Sequence, residues 1–391
     1  MKKALSVMLA AAMAVSFAAC GTGTTNPGTS NSTSQGSSAA ATSIRVGGLG
    51  PLTGGAAIYG NAVKNGAQLA VDEINAKGGL QFELNFMDDE NDVEKSMNAY
   101  NSLKDWGMQL LMGTTTTQPC IAVSAQASDD RMFVLTPSAS APEVVANETA
   151  YQVCFTDPNQ GMASANYIAD NNLATKVAVI HDSSDAYSSG VYAKFKEQAE
   201  ARGLEIVADE AFTADNKTDF SVQVQKAKSA NAELVFLPIY YSEADLILQE
   251  MNKQGYEATV FGCDGLDGLL TIPGADTSLF EGVMLLTPFA ADAQDEMTQN
   301  FVTSYQEKFG EVPNQFAADA YDAMYILLAA CEKAGVTADM DAATICDKVM
   351  EAMPQLTLDG LTGNGMKWEA TGEVNKEPRA VKIVNGAYAA M

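Results

Sequence analysis

Val177-Ala178-Val179-Ile180, Leu234-Val235-Phe236-Leu237 and Thr259-Val260-Phe261 decide how this chain folds. Each run is short and apolar almost throughout, as strands are when both faces of a sheet are covered. Between them, apolar residues at helical spacing predict helices over 189–202, 220–229 and 243–254, with a further strand at Glu205-Ile206-Val207. Strands and helices alternating in this way give a parallel sheet wound with helices. The same rhythm runs earlier. A strand at 44–50 enters a Gly/Pro/Thr loop, a helix over 62–77 stops at Gly78-Gly79, and Phe82-Glu83-Leu84-Asn85-Phe86 alternates as a strand. A helix over 93–106, a strand Leu110-Leu111-Met112, a helix over 119–128 and a strand Met132-Phe133-Val134-Leu135 follow. Two such runs predict an α/β fold of two doubly wound, Rossmann-like domains. After Gly282 the chain changes character. Helices are expected over 294–309, 315–334 and 341–353, then short strands at 355–358 and 380–384. So late a helical block suggests a return to the first domain. Ligands of open α/β sheets sit at the carboxyl ends of the strands, so two facing domains would hold theirs in the cleft between them.

The first twenty residues read as a processing signal. Lys2 and Lys3 precede an uncharged apolar run from Ala4 to Ala19, shorter than the ~20 residues that span a bilayer but suited to a signal-peptide core. Phe17-Ala18-Ala19-Cys20 resembles a bacterial lipoprotein signal, in which Cys20 becomes the lipid-carrying first residue; an ordinary secretory peptide with an incidental cysteine is the plainer alternative. Residues 21–43 are almost entirely Gly, Ser, Thr, Ala and Asn with no charge, the composition of a flexible tether. The expectation is a signal peptide over 1–19, a tether over 20–43, and an extracytoplasmic protein anchored to the cell membrane by lipid on Cys20.

Composition narrows the function. The 391 residues carry 49 acidic and 23 basic side chains, a formal charge of −26, which excludes a protein that grips the nucleic-acid backbone. There is one histidine, His181, so histidine metal sites and two-histidine mechanisms are excluded. His181 sits beside Asp182 at a strand end and reads as a residue on the rim of a site or just behind it rather than a catalyst, because no nucleophilic serine motif accompanies it. Asp88-Asp89-Glu90 with Asp92 lacks the spacing of a calcium loop and reads as a solvated acidic turn. Cys120, Cys154, Cys263, Cys331 and Cys346 match no zinc pattern and read as small buried residues, although Cys331 and Cys346 could pair. No cofactor and no metal are expected.

Leu49-Gly50-Pro51-Leu52-Thr53-Gly54-Gly55-Ala56-Ala57-Ile58-Tyr59-Gly60, followed by Glu73-Ile74-Asn75-Ala76-Lys77-Gly78-Gly79, resembles the opening of branched-chain amino-acid binding proteins. These are the Leu/Ile/Val-type substrate-binding subunits of ABC importers, of periplasmic-binding-protein type I. The likeness continues through Asp88 to Asp92, Gly113 to Pro119, Thr136 to Glu143, Thr218-Asp219-Phe220-Ser221 and Tyr240-Tyr241, and so covers nearly all of the chain after the tether. It implies two lobes joined by three crossovers and closing like a hinged clam, with no chemical reaction. Lobe I would be 44–156 with 288–374, and lobe II 157–287 with 375–391. Partners would be an amino acid and the transmembrane subunits of an ABC permease, with the protein a monomer.

An amino acid needs donors for its carboxylate, an anion for its ammonium and an apolar or aromatic wall for its side chain. Thr115, Thr116 and Thr117 lie between a strand end and a helix start, where hydroxyls and free N–H groups would cradle a carboxylate; the plain alternative is an N-capping threonine near a first-turn proline. Ala139 and Ser140 resemble the family's second ligand-contacting turn, or form a plain turn before Pro142. Asp264, directly after a strand, matches the family's ammonium partner; Asp267 is the competitor, and an aspartate in a glycine turn the alternative. Tyr59, Tyr187, Tyr240 and Phe316 match aromatic cleft positions or are core residues, with Tyr187 placed in a polar loop over 183–189. Other ligand classes stay open on the same fold: an amide, urea or an aromatic acid, none of which needs a buried anion. A signalling ectodomain would need a membrane span after the lobes, and the sequence ends at Met391. An enzyme is disfavoured, for want of an assembled acid, base and nucleophile.

Overall fold

The computed structural model describes residues 42–391; the signal, Cys20 and nearly all of the tether lie outside them. The chain begins β1 (Ile44–Gly50), α1 (Ala57–Lys77), β2 (Phe82–Asp88), α2 (Val93–Trp106), β3 (Leu110–Met112), α3 (Thr117–Asp129), β4 (Val134–Thr136) and β5 (Ala150–Gln152). These five strands form one sheet in the order β2-β1-β3-β4-β5, parallel throughout. Next come α4 (Asp157–Asp170), β6 (Lys176–Asp182), α5 (Ala186–Arg202), β7 (Glu205–Phe212), α6 (Ser221–Ser229), β8 (Leu234–Leu237), α7 (Tyr241–Lys253), β9 (Thr259–Gly262) and β10 (Met284–Thr287). Three helices, α8 (Glu296–Phe309), α9 (Gln315–Ala334) and α10 (Ala342–Ala352), precede β11 (Arg379–Val384) and β12 (Ala387–Ala390). The second sheet has the order β12-β11-β10-β9-β8-β6-β7 and is parallel except for its β10-β11-β12 edge.

Short-range chemistry sets the element ends. Asp92, Asp185, Asp295, Asn314 and Asp341 each accept a hydrogen bond from a first-turn N–H of the helix that follows. Gly107, Gly203, Gly310 and Gly335 end α2, α5, α8 and α9 in the left-handed conformation. β3, β4, β8 and β10 are buried at every residue, which is why their sequences show no alternation.

Two glycines let helices approach closely. A Cβ on Gly66 in α1 would lie 2.0 Å from the Ala317 carbonyl oxygen in α9, and one on Gly161 in α4 would lie 2.3 Å from the Val191 carbonyl oxygen in α5. So α9 packs along α1, and the late helices cover the first sheet. The segment that returns from there to β11 is pinned by a buried ion pair, Lys376 Nζ to Asp319 Oδ1 at 3.0 Å, with the Thr362 hydroxyl 2.6 Å from the same ammonium. One apolar cluster contains residues of both sheets, from Val46 and Leu135 to Ala178 and Leu237.

Several local expectations give way. α1 starts at Ala57, five residues before 62. Tyr187 is not in a loop: Asp185 caps α5 and puts Tyr187 in its first turn. The strand expected at 355–358 is a 3-10 turn over Met353–Gln355, with Leu358 in an isolated bridge to Met366. α4, β5 and β12 had no counterpart in the sequence reading. The acidic turn is not simply solvated: Asp89 is fully buried, and Asp88 accepts from the Leu52 N–H at 2.8 Å and the Thr53 hydroxyl at 2.7 Å. The five cysteines among the described residues are buried and free, Cys331 and Cys346 included. His181 is buried rather than on a rim, its ring stacked 3.9 Å from Tyr192 and its Nδ1 4.0 Å from Asp209. Among the described residues, no helix is long and apolar enough to cross a membrane and no cluster has the makings of a metal site.

Candidate ligand-binding site

Turns at the carboxyl ends of both sheets converge on one buried cluster: Tyr59, Thr115, Thr116, Thr117, Ser138, Ser140, Tyr187, Tyr240, Asp264, Gly265 and Phe316. Nine of these are candidates from the sequence, Ser138 belongs to the same expected turn as Ser140, and Gly265 is an addition. Ala139 is the exception. Its side chain packs with Cys120, Ala141 and Val144, and its N–H already donates to Thr136 Oγ1 at 3.0 Å. The free space inside the cluster is about 10 Å³, about one water's worth. A guest larger than a water enters only if the lining residues move apart.

The threonine side is a donor array. β3 runs into residues 113–116, and Thr116 stands at the N-cap of α3. It does not cap: its Oγ1 is buried and has no hydrogen-bond partner. A buried hydroxyl without a partner is costly, so its presence at a helix N-terminus marks a place for an acceptor. The first-turn N–H groups of α3 face the same end and favour negative charge. Neighbouring hydroxyls are spent on scaffolding: Thr115 Oγ1 donates to the Leu49 carbonyl at 3.2 Å, Ser138 Oγ to the Thr115 carbonyl at 2.6 Å, and Thr117 Oγ1 accepts the Ser140 N–H at 3.2 Å.

The acid side is held tightly. Asp264 opens a 3-10 turn over Asp264–Leu266 after β9. Gln160 of α4 donates from Nε2 to Asp264 Oδ2 at 3.0 Å and accepts the Asp264 N–H on Oε1 at 3.2 Å. Gln315 Nε2 donates to the Asp264 carbonyl at 3.0 Å, and the Gly265 N–H donates to the Tyr187 hydroxyl at 3.0 Å. Burial pushes the Asp264 carboxyl up to about 7; the Tyr187 hydroxyl and the Gln160 amide oppose the rise, and the charge of Asp319 adds to it. Asp267 is differently employed. Its Oδ2 accepts the Gln315 N–H at 2.9 Å and so anchors the start of α9. Asp157, unmarked by sequence, is a third buried acid; neither of its oxygens has a partner, and burial holds its carboxyl well above the usual range, with the charge of Asp264 adding to the rise.

Aromatic rings complete the cluster. Tyr59 lies 5.5 Å from Tyr240, 4.9 Å from Tyr241 and 4.3 Å from Phe316, and Tyr187 stacks on Tyr240 at 5.2 Å. The Tyr59 hydroxyl, from α1, donates to the Gly265 carbonyl and accepts the Tyr241 N–H at 3.0 Å, so it ties the first sheet's cover to turns of the second. Donors, an acid and an aromatic wall in one small space fit a small zwitterion.

Comparison with known proteins agrees. The family described as periplasmic binding protein matches residues 43–387. Over 317 residues the chain is 33% identical to a Leu/Ile/Val-binding protein homolog of Brucella melitensis, covering 78% of this chain and 83% of that one. The branched-chain amino acid transporter substrate binding protein LivJ of Streptococcus pneumoniae, solved in complex with isoleucine, is similar at a TM-score of 0.81 and 26% identity, over 89% of this chain and 98% of that one. The leucine binding protein LivK of Thermotoga maritima is similar at a TM-score of 0.80 and 26% identity, over 89% and 97%.

Proposed function

This chain belongs to the periplasmic binding protein family, and from that premise we propose that it is the extracytoplasmic solute-binding subunit of an ABC importer, capturing an amino acid and delivering it to the permease. The observation that carries the reading is the convergence of an unpartnered hydroxyl at a helix N-terminus, a buried aspartate and four aromatic rings on one cluster between the two sheets. The Thr116, Thr117 and Ser140 hydroxyls take the carboxylate, together with the backbone at Thr115 and the start of α3. Asp264 takes the ammonium, and Tyr59, Tyr187, Tyr240 and Phe316 wall the side chain. An aliphatic, branched side chain is favoured because the relatives are named for leucine, isoleucine and valine.

The moving parts are two lobes, 44–156 with 288–374 and 157–287 with 375–391. The strand membership of each sheet and the packing of α9 on α1 support that division. The protein works as a monomer, held at the outer face of the cell membrane by lipid on Cys20 at the end of a signal peptide.

Calorimetric titration against the common amino acids tests the reading, on protein denatured and refolded to strip carried-over ligand. Aliphatic amino acids should bind and their 2-keto acids should bind poorly. Binding of an amide, urea or an aromatic acid with no response to any amino acid would overturn it.

A further inference from the structure

The residue that makes Asp264 usable lies on a helix that carries none of the proposed ligand contacts. We infer that Gln160 is a positioning residue for amino-acid capture: its side-chain amide fixes the Asp264 carboxylate in place for the ligand's ammonium. This inference rests on the amino-acid reading of the site.

The geometry is specific. Gln160 is fully buried, and its two polar atoms engage one residue with opposite polarity, Oε1 accepting from the Asp264 backbone at 3.2 Å and Nε2 donating to the carboxylate at 3.0 Å. A glutamine amide is the side chain that supplies an acceptor and a donor from one planar group. The double contact sets both the turn's backbone and the rotation of its carboxyl, and it leaves Oδ1 for the ligand. Gln160 reaches the turn because α4 presents one face to it. Asp157, Gln160 and Ser164 lie three and four residues apart, and Ser164 Oγ lies 3.5 Å from Cys263 Sγ. Gly161 then lets α4 press against α5.

The amide also acts on charge. A donor to a carboxylate stabilises its ionised form. Among the surrounding titratable groups, the charge of Asp319 from α9 works the opposite way, while Asp157 from α4 and the buried Cys154 and Cys263 thiols have their own ionisation held off by the Asp264 charge. The Tyr187 hydroxyl from α5 and the Gly265 backbone N–H also lower it, Tyr240 lies alongside, and the buried cation Lys376 is engaged by Asp319. Without Gln160 the carboxylate would lose one of its donors, hold its proton to higher pH and pull less on an ammonium at neutral pH.

Gln160→Met keeps length and removes both polar atoms. Calorimetric titration with leucine from pH 6 to pH 9 should show affinity at pH 7 weakened by at least about tenfold, with much of the loss recovered towards pH 9 as Asp264 ionises. In an Asp264→Asn background the same change should cost less than about threefold, because the residue it serves has lost its charge. Gln160→Ala, which leaves room for water, is the second variant should the methionine form fail to fold. An equal loss at every pH, or an undiminished loss in the Asp264→Asn background, would mean a purely structural residue, and unchanged affinity would mean none of the proposed role. Wild type that bound no amino acid would sink the functional reading itself, before any variant is made.

Discussion

Asp264→Asn separates two consequences of one buried charge. The substitution keeps shape and an acceptor for Gln160 and removes the charge. Raising a carboxyl from 3.8 to about 7, at about 1.4 kcal/mol per tenfold in proton affinity, makes burial of the ionised form cost on the order of 4 kcal/mol. The carboxyl binds its proton more tightly when buried than when opened to water. Its contribution to the closed form is therefore complete below about pH 4 and is lost as pH climbs towards 7. Ligand-free wild type should accordingly be more open at pH 8 than at pH 5, read as a larger radius of gyration in solution scattering. The asparagine variant should be compact at both. With ligand the order reverses. A charge-assisted hydrogen bond is worth about 1.5–3 kcal/mol, and leaving its partner buried alone raises the loss to about 3–5 kcal/mol. Amino acids should thus bind the variant roughly 10²–10³-fold more weakly by calorimetry, while the matching 2-keto acids lose little. A variant that bound amino acids within about threefold of wild type would refute the assignment, and abolished binding in Asp267→Ala would move it to that residue.

Tyr240→Ala should change the ranking among leucine, isoleucine and valine by about 1–3 kcal/mol in competition titrations, since its ring stacks on Tyr187 in the wall; a uniform loss would make it a lobe contact instead. Lys376→Met should lower unfolding free energy by about 3–5 kcal/mol in chemical denaturation, because it strands buried Asp319; a change below about 1 kcal/mol would mean the pair is of surface quality. Cys20→Ala should release the protein from membranes with its melting temperature unchanged, and retention after a salt wash would place the anchor elsewhere.

The strand runs were legible because burial on both faces leaves them nothing but apolar residues, as at Leu234–Leu237. The bounds of α9 were legible too, since Asn314 caps it and Gly335 stops it. α4 was not. Its opening, Asp157-Pro158-Asn159-Gln160-Gly161, has the composition of a turn, yet Thr156 is a capping residue and Pro158 a first-turn proline. Gly161 is there for contact with α5, a tertiary demand that local pattern cannot register. The cost was the element that holds Asp264. Asp157 was lost with it, and the burial of Asp89 is equally invisible in a run of acids.

The closed cluster leaves about 10 Å³ between its walls. That is room for about one water, so a larger guest has to part the walls, and on the two-lobe reading its size would set the angle at which the lobes come to rest. Retention and export then obey different rules. Affinity would sum the contacts a guest makes, whereas a permease docked across both lobes would read their separation. A bulky guest with good contacts would be kept and not passed on, and would act as a competitive blocker. On that reading, selectivity of uptake would be partly a matter of geometry downstream of binding, set by how far Tyr240 and Phe316 stand apart.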